Sequence, residues 1–88
     1  MIPKKSLGQN FLIDNNICKK ITNISNLKNK IIVEIGPGKA NLTDIILLKK
    51  PKKIILIEKD DNLYKKLLNK YKKNSLFEIY NEDALHFN

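Results

Sequence analysis

Ile31-Ile32-Val33-Glu34-Ile35-Gly36-Pro37-Gly38 is a short β-branched run that ends at once in a glycine turn. A continuous apolar run of this length reads as a strand buried on both faces, the kind found in parallel sheets. Gly has no Cβ and tolerates positive φ, so such a turn lets backbone come close to a ligand. In open α/β sheets, ligands bind beyond the carboxyl ends of the strands, which is where this turn falls. A lone Gly-x-Gly serves equally well as a tight strand-to-helix corner, so the residues around it must decide its role.

Working outward, the pattern predicts a helix starting near Asn41, with Asp44 three residues on as in a capping box, and running through Ile45–Leu48. Lys49 and Lys50 suit the negative end of its dipole, and Pro51 stops it. Ile54–Ile57 is the next strand and ends at Glu58. Asp60-Asp61 opens a further helix. Its apolar face is Leu63, Tyr64, Leu67, Leu68 and Tyr71, and its opposite face carries Lys65, Lys66, Lys70, Lys72 and Lys73. Leu76–Tyr80 reads as a third strand, followed by Asn81-Glu82-Asp83-Ala84. Upstream, Ile17, Cys18, Ile21 and Ile24 fall at helical spacing after Asp14, a plausible N-cap. The first twelve residues show no periodicity and read as a basic arm.

The order is therefore arm, helix, then β-α-β-α-β. Strands alternating with helices predict right-handed crossovers and a parallel sheet with its strands in the order 3-2-1. This is an α/β architecture, the first half of a doubly wound, Rossmann-like fold. Residues 1–13 form the arm, and 14–88 half of a single ligand-binding domain whose first strand is left as an open edge.

Composition narrows the function classes. The chain has 88 residues, 42% of them apolar, which argues against a disordered tail. No apolar run approaches the roughly 18–20 residues needed to span a bilayer, so no membrane role is expected and the chain reads as cytoplasmic. One cysteine, Cys18, forms no internal disulfide, and no Cys/His cluster suggests a metal. The formal net charge of +8 invites a polyanion partner. Every basic residue is Lys, however, and Lys, Asn and Ile together make up 43 of 88 residues. These types share A/T-rich codons, so nucleotide composition explains the excess as well as a partner does. Lys also lacks the bidentate fork with which Arg reads phosphate and guanine.

The site residues come from the strand ends. Glu58 lies 22 residues after Gly36, where an acidic side chain can take both hydroxyls of a ribose. Asp83 follows the third strand on the same rim, where a carboxylate can accept from an adenine amino group. Two carboxylates and a glycine turn on one edge describe a nucleoside pocket. A dinucleotide would need a third Gly for close packing at position 41, and Asn41 stands there. Glu34, two residues before Gly36, disfavours a phosphate and favours a cationic ligand. S-adenosylmethionine has a sulfonium, an ammonium and an adenosine but no phosphate, and it suits these residues best.

The blocks Lys5-Ser6-Leu7-Gly8-Gln9-Asn10-Phe11-Leu12, Val33–Gly38 with Leu42-Thr43, Ile57-Glu58-Lys59-Asp60 and Asp83-Ala84 resemble, in order and spacing, the ribosomal RNA adenine dimethyltransferase family. The resemblance covers nearly the whole chain, and the Gly-Gln-Asn-Phe-Leu block separates this family from other methyltransferases. It implies S-adenosyl-L-methionine as cofactor and dimethylation of N6 on two neighbouring adenines of small-subunit ribosomal RNA. It further implies that Asn10 and Leu12 cover the cofactor from the arm. Gly36 would lie against its methionine part, Glu58 on the ribose hydroxyls and Asp83 at the adenine. The partner implied is the RNA itself or a pre-ribosomal particle, with the intact enzyme a monomer.

The family's catalytic Asn-Leu-Pro-Tyr signature and its helical C-terminal domain do not occur in these 88 residues, so no catalytic residue is assigned and the chain alone is expected to be inactive. A non-catalytic RNA-binding or ribosome-assembly module is the main alternative; Asn41 and Glu34 disfavour a dinucleotide-dependent oxidoreductase. Cys18 reads as core packing, His86 as structural or exposed, and the lysine-rich helix as a solvated face. Lys4 and Lys5 are the better candidates for RNA phosphate contact.

Overall fold

The computed structural model describes residues 10–14 and 27–86. The expected helix over Ile17, Cys18, Ile21 and Ile24, and the arm lysines Lys4 and Lys5, lie outside the described residues. Four parallel strands form one sheet in the spatial order β1-β2-β3-β4: β1 (Asn10–Asp14), β2 (Ile31–Ile35), β3 (Lys53–Ile57) and β4 (Phe77–Tyr80). Helix α1 (Asn41–Leu48) connects β2 to β3, and α2 (Asp61–Tyr71) connects β3 to β4. The order β4-β3-β2 is the expected 3-2-1 order of a doubly wound half-sheet.

The first difference from expectation is β1. Periodicity places no element in the arm and leaves the Ile31–Ile35 edge open. In the structure Asn10–Asp14 runs parallel along that edge, Asn10 beside Ile31 and Asp14 beside Ile35. An open edge presents a row of unpaired N–H and C=O groups, and Phe11-Leu12-Ile13 brings β-favouring residues to pair with them.

Alternation along the strands sorts the side chains into two layers. Ile32, Ile54 and Leu56 point to one face, where they are buried with Ile46 of α1 and with Leu67 and Tyr71 of α2. Phe77 and Ile79 of β4 pack against the same cluster. Both helices therefore cover one side of the sheet. Val33 and Ile57 are buried on the other side, with Ile35, Ile55 and Ala84 beside them. That second face turns polar toward β4, where Lys53 and Tyr80 both hydrogen-bond Glu78. The Lys53 bond leads in holding the Glu78 carboxyl below its ordinary range.

The second difference is the start of α1. The capping box does not form: Ala40 is the N-cap, with φ 71°, and no side chain caps it. Asp44 turns instead toward α2, accepting from Tyr71 Oη at 2.6 Å and Lys70 Nζ at 2.7 Å. Burial works to raise the Asp44 carboxyl, but these two bonds outweigh it and hold it below the usual range. Tyr71 in turn stacks on Phe77 with ring centroids 3.9 Å apart. By contrast α2 starts as expected, with Asp60 Oδ1 accepting from Leu63 N at 2.9 Å.

Asp44 thus clasps the two helices. Asp44→Ala should lower stability by about 1–2 kcal/mol, most of it from the Tyr71 bond, because the ion pair with Lys70 is half-exposed. Urea unfolding checks this. Tyr71→Phe combined with Asp44→Ala should cost less than the sum of the two, since both remove the same hydrogen bond.

Candidate functional site

The turn after β2 is built from three left-handed residues at alternate positions: Gly36 (φ 68°), Gly38 (φ 59°) and Ala40 (φ 71°). Glycine occupies the first two freely, whereas Ala40 carries a Cβ there at a cost of about 1–2 kcal/mol. The packing holds it: Ala40 is fully buried and its N–H donates to the Pro37 carbonyl at 2.9 Å. The Gly36 N–H donates to the Ile57 carbonyl at 3.0 Å, tying the turn to the end of β3.

Glu58 immediately follows β3 and is 5% exposed. Its Oε1 accepts from Gly38 N at 3.0 Å and its Oε2 from Asp60 N at 3.0 Å. The carboxylate is thereby oriented by two backbone donors, one from the glycine turn and one from the start of α2. Each oxygen keeps a further lone pair for another donor. Continuing across the sheet, the Glu58 N–H donates to the Tyr80 carbonyl at 2.9 Å, and Asn81 Nδ2 donates back to the Glu58 carbonyl at 3.0 Å. Asp83 follows two residues later. Its Oδ1 accepts from Leu85 N at 2.9 Å, which starts the 3-10 turn Ala84–His86. His86 is exposed at the end of that turn.

Three adjacent strand ends therefore bring Gly36, Glu58 and Asp83 to one rim. Asn10 and Leu12 are not brought there. Asn10 pairs with Ile31 and Leu12 with Val33, so Asn10 lies about 13 Å along the sheet from the rim, and the residue of β1 that reaches it is Asp14.

Glu34 completes the arrangement beneath the turn. It lies beside Leu56, on the face of the sheet that the helices cover, and is fully buried. Thr43 Oγ1, on the first turn of α1, donates to Glu34 Oε1 at 2.6 Å. Glu34 Oε2 has no hydrogen-bond partner among the described residues. Burial pushes the carboxyl up to about 7, against the Thr43 bond, with the charges of Asp44 and Glu58 adding to the rise. The roles of Thr43 and of the Asn81 amide escape a sequence reading, because no local pattern marks a bond across nine or 23 positions.

This set of acceptors fits a nucleoside with a cationic tail. The Glu58 oxygens suit a pair of hydroxyls, and the second oxygen of Asp83 suits an amino group. The Glu58 carboxylate beside the turn disfavours a phosphate and favours a positive charge, and the carboxyl of Glu34 beneath it adds to this when ionised. Among the described residues there is no group of three or more His, Cys, Asp or Glu that can hold a metal, and no helix long and apolar enough to cross a membrane.

A sequence model of the family described as ribosomal RNA adenine dimethylase matches residues 3–88. The chain is 52% identical over 82 residues to ribosomal RNA small subunit methyltransferase A of Pelagibacter ubique, covering 93% of this chain and 30% of that protein. The proteins of the same name from Mycoplasmopsis synoviae and from the Wolbachia of Brugia malayi are 48% and 46% identical, covering 97% and 96% of this chain. The chain spans 32% and 33% of their lengths, about a third of the relatives it matches.

Proposed function

Because the chain belongs to the ribosomal RNA adenine dimethylase family, we propose that it forms the cofactor-binding part of an S-adenosylmethionine-dependent methyltransferase acting on small-subunit ribosomal RNA. The reaction proposed for the whole protein is dimethylation of N6 on two adjacent adenines during ribosome biogenesis. The observation that carries this reading is the convergence of Gly36, Glu58 and Asp83 on one rim above the buried carboxyl of Glu34. The chemistry that the cofactor supplies when bound is an electrophilic methyl group on a positively charged sulfur.

The chain's own residues bind and orient. Glu58, held by the Gly38 and Asp60 N–H groups, offers two fixed acceptors to the ribose hydroxyls. Asp83 receives the adenine amino group, and the Gly36 turn leaves room for the methionine part without a side chain in the way. Asn10 and Leu12 are assigned to the cofactor by the resemblance alone. For them to cover the rim, β1 must leave the edge of β2. The 88 residues hold no Asn-Leu-Pro-Tyr segment, so the positioning of a target adenine falls outside this chain. A ribosomal substrate fits a cytoplasmic location for the whole protein.

Calorimetry on the chain tests the reading. S-adenosylmethionine and its demethylated product should bind, and NADH should not. RNA binding with a steep salt slope but no nucleoside binding would replace the reading with an RNA-binding module, for which the exposed lysines of α2 are the surface at hand.

A further inference from the structure

Among the described residues, Glu34 is the one buried charge-bearing side chain at the turn with a polar atom left over, and the proposed binding roles do not use it. Its Oε2 is sealed from solvent and from the rim, so no ligand touches it without the turn moving. Whatever it contributes must act through space. Among the described residues, the titratable and charged groups facing it are Asp44 from α1, Glu58 from the end of β3 and Tyr71 from α2, with the Thr43 hydroxyl as its hydrogen-bond donor. None of these is a cation. Lys70, the nearest base in this network, spends its ammonium on Asp44.

We propose that Glu34 reads the charge of the ligand lying over the glycine turn, so that the site favours a methyl donor bearing a sulfonium over the neutral thioether left after transfer. The inference rests on the rim being an S-adenosylmethionine site. Its physics is electrostatic linkage. An unpaired buried carboxyl holds its proton in the empty chain, and an opposite charge within ~4–6 Å lowers such a group by about 1–3 pKa units. A positive ligand therefore binds with loss of the Glu34 proton to solvent, and by reciprocity an ionised Glu34 binds that ligand more tightly. The thioether product shares the ammonium and the adenosine but lacks the charge on sulfur. Glu34 thus acts on the difference between the two.

The test is calorimetry of S-adenosylmethionine and S-adenosylhomocysteine at pH 6 and pH 8.5, in buffers of different ionisation enthalpy. For a one-unit shift of a group near pH 7, the ratio of product Kd to donor Kd should rise about fivefold across that range. The donor should release about half a proton more than the product near pH 6.5. Glu34→Gln keeps an acceptor for Thr43 and should flatten the ratio and abolish the extra proton release. Thr43→Val, which leaves the carboxyl in place without its donor, should move the midpoint to higher pH. A ratio that does not change with pH, or that changes equally in Glu34→Gln, overturns the inference while leaving the cofactor reading intact. Failure of both ligands to bind overturns the reading and the inference together.

Discussion

Replacing Glu58 by Ala is expected to weaken S-adenosylmethionine binding about a hundredfold, the largest effect of any single change at the rim. The loss has two parts. Each hydrogen bond to a charged acceptor contributes about 1.5–3 kcal/mol, so losing two ribose contacts accounts for about 3 kcal/mol, or a hundredfold in Kd. In addition, the Gly38 and Asp60 N–H groups lose their acceptors, and the turn loses the contact that pins it to the start of α2. Glu58→Gln separates these parts. Its single carbonyl oxygen can satisfy one of the two backbone donors, so the fold should hold while one hydroxyl contact is lost and binding falls by about tenfold. Calorimetric affinities for the two variants, with circular dichroism to confirm folding, check the prediction. Equal affinity in Glu58→Ala and the unaltered chain would remove Glu58 from the site.

Stability should fall as pH rises from about 4.5 to about 7, by up to about 3 kcal/mol, and Glu34 is the cause. In the unfolded chain a Glu titrates near 4.5, whereas in the fold burial raises Glu34 to about 7. Between those values the unfolded state has lost the proton and the folded state still holds it. The unfolded state therefore binds fewer protons, and stability declines with pH across that window. The contribution is fully present below pH 4.5 and is lost as pH passes 7. Each pKa unit corresponds to about 1.4 kcal/mol, which sets the size. Urea midpoints measured from pH 4.5 to 8 should show the decline, and Glu34→Gln should remove most of it. A variant with the same slope would mean that Glu34 is ionised in the fold at neutral pH. That result bears on the fold alone and is independent of whether any cofactor binds.

Much of this architecture was legible in local pattern. β2, β3 and β4 lie within a residue or so of the continuous apolar runs that mark them. The helices follow the 3.6-residue spacing, and Asp60 caps α2 as a residue of its type should. The rim was legible too, because in a parallel sheet a strand end, a turn and the next strand end fall at intervals the chain itself counts out. Gly36, Glu58 and Asp83 needed no knowledge of side-chain packing to be placed side by side. The Asp44 capping box misled for a nearby reason. A carboxylate three residues into a helix has a local partner in reach, but Lys70 and Tyr71, 26 and 27 positions away, offered hydrogen-bond donors of greater strength.

What the sequence determined by itself is the alternation of strand and helix, the 3-2-1 strand order, the acidic residues at the strand ends and the family they spell out. These depend on spacing along the chain. What only the tertiary structure decided depends on which groups are left without water or a partner. It laid Asn10–Asp14 against the open edge of β2, because unpaired backbone there must be satisfied, and so kept Asn10 away from the rim. It also sealed Glu34 under α1 with one oxygen bonded and one without a partner among the described residues, turning an ordinary strand glutamate into a group that titrates near neutrality. Burial is a property of the whole packed sheet, and no stretch of eight residues, even Ile31–Gly38, carries it.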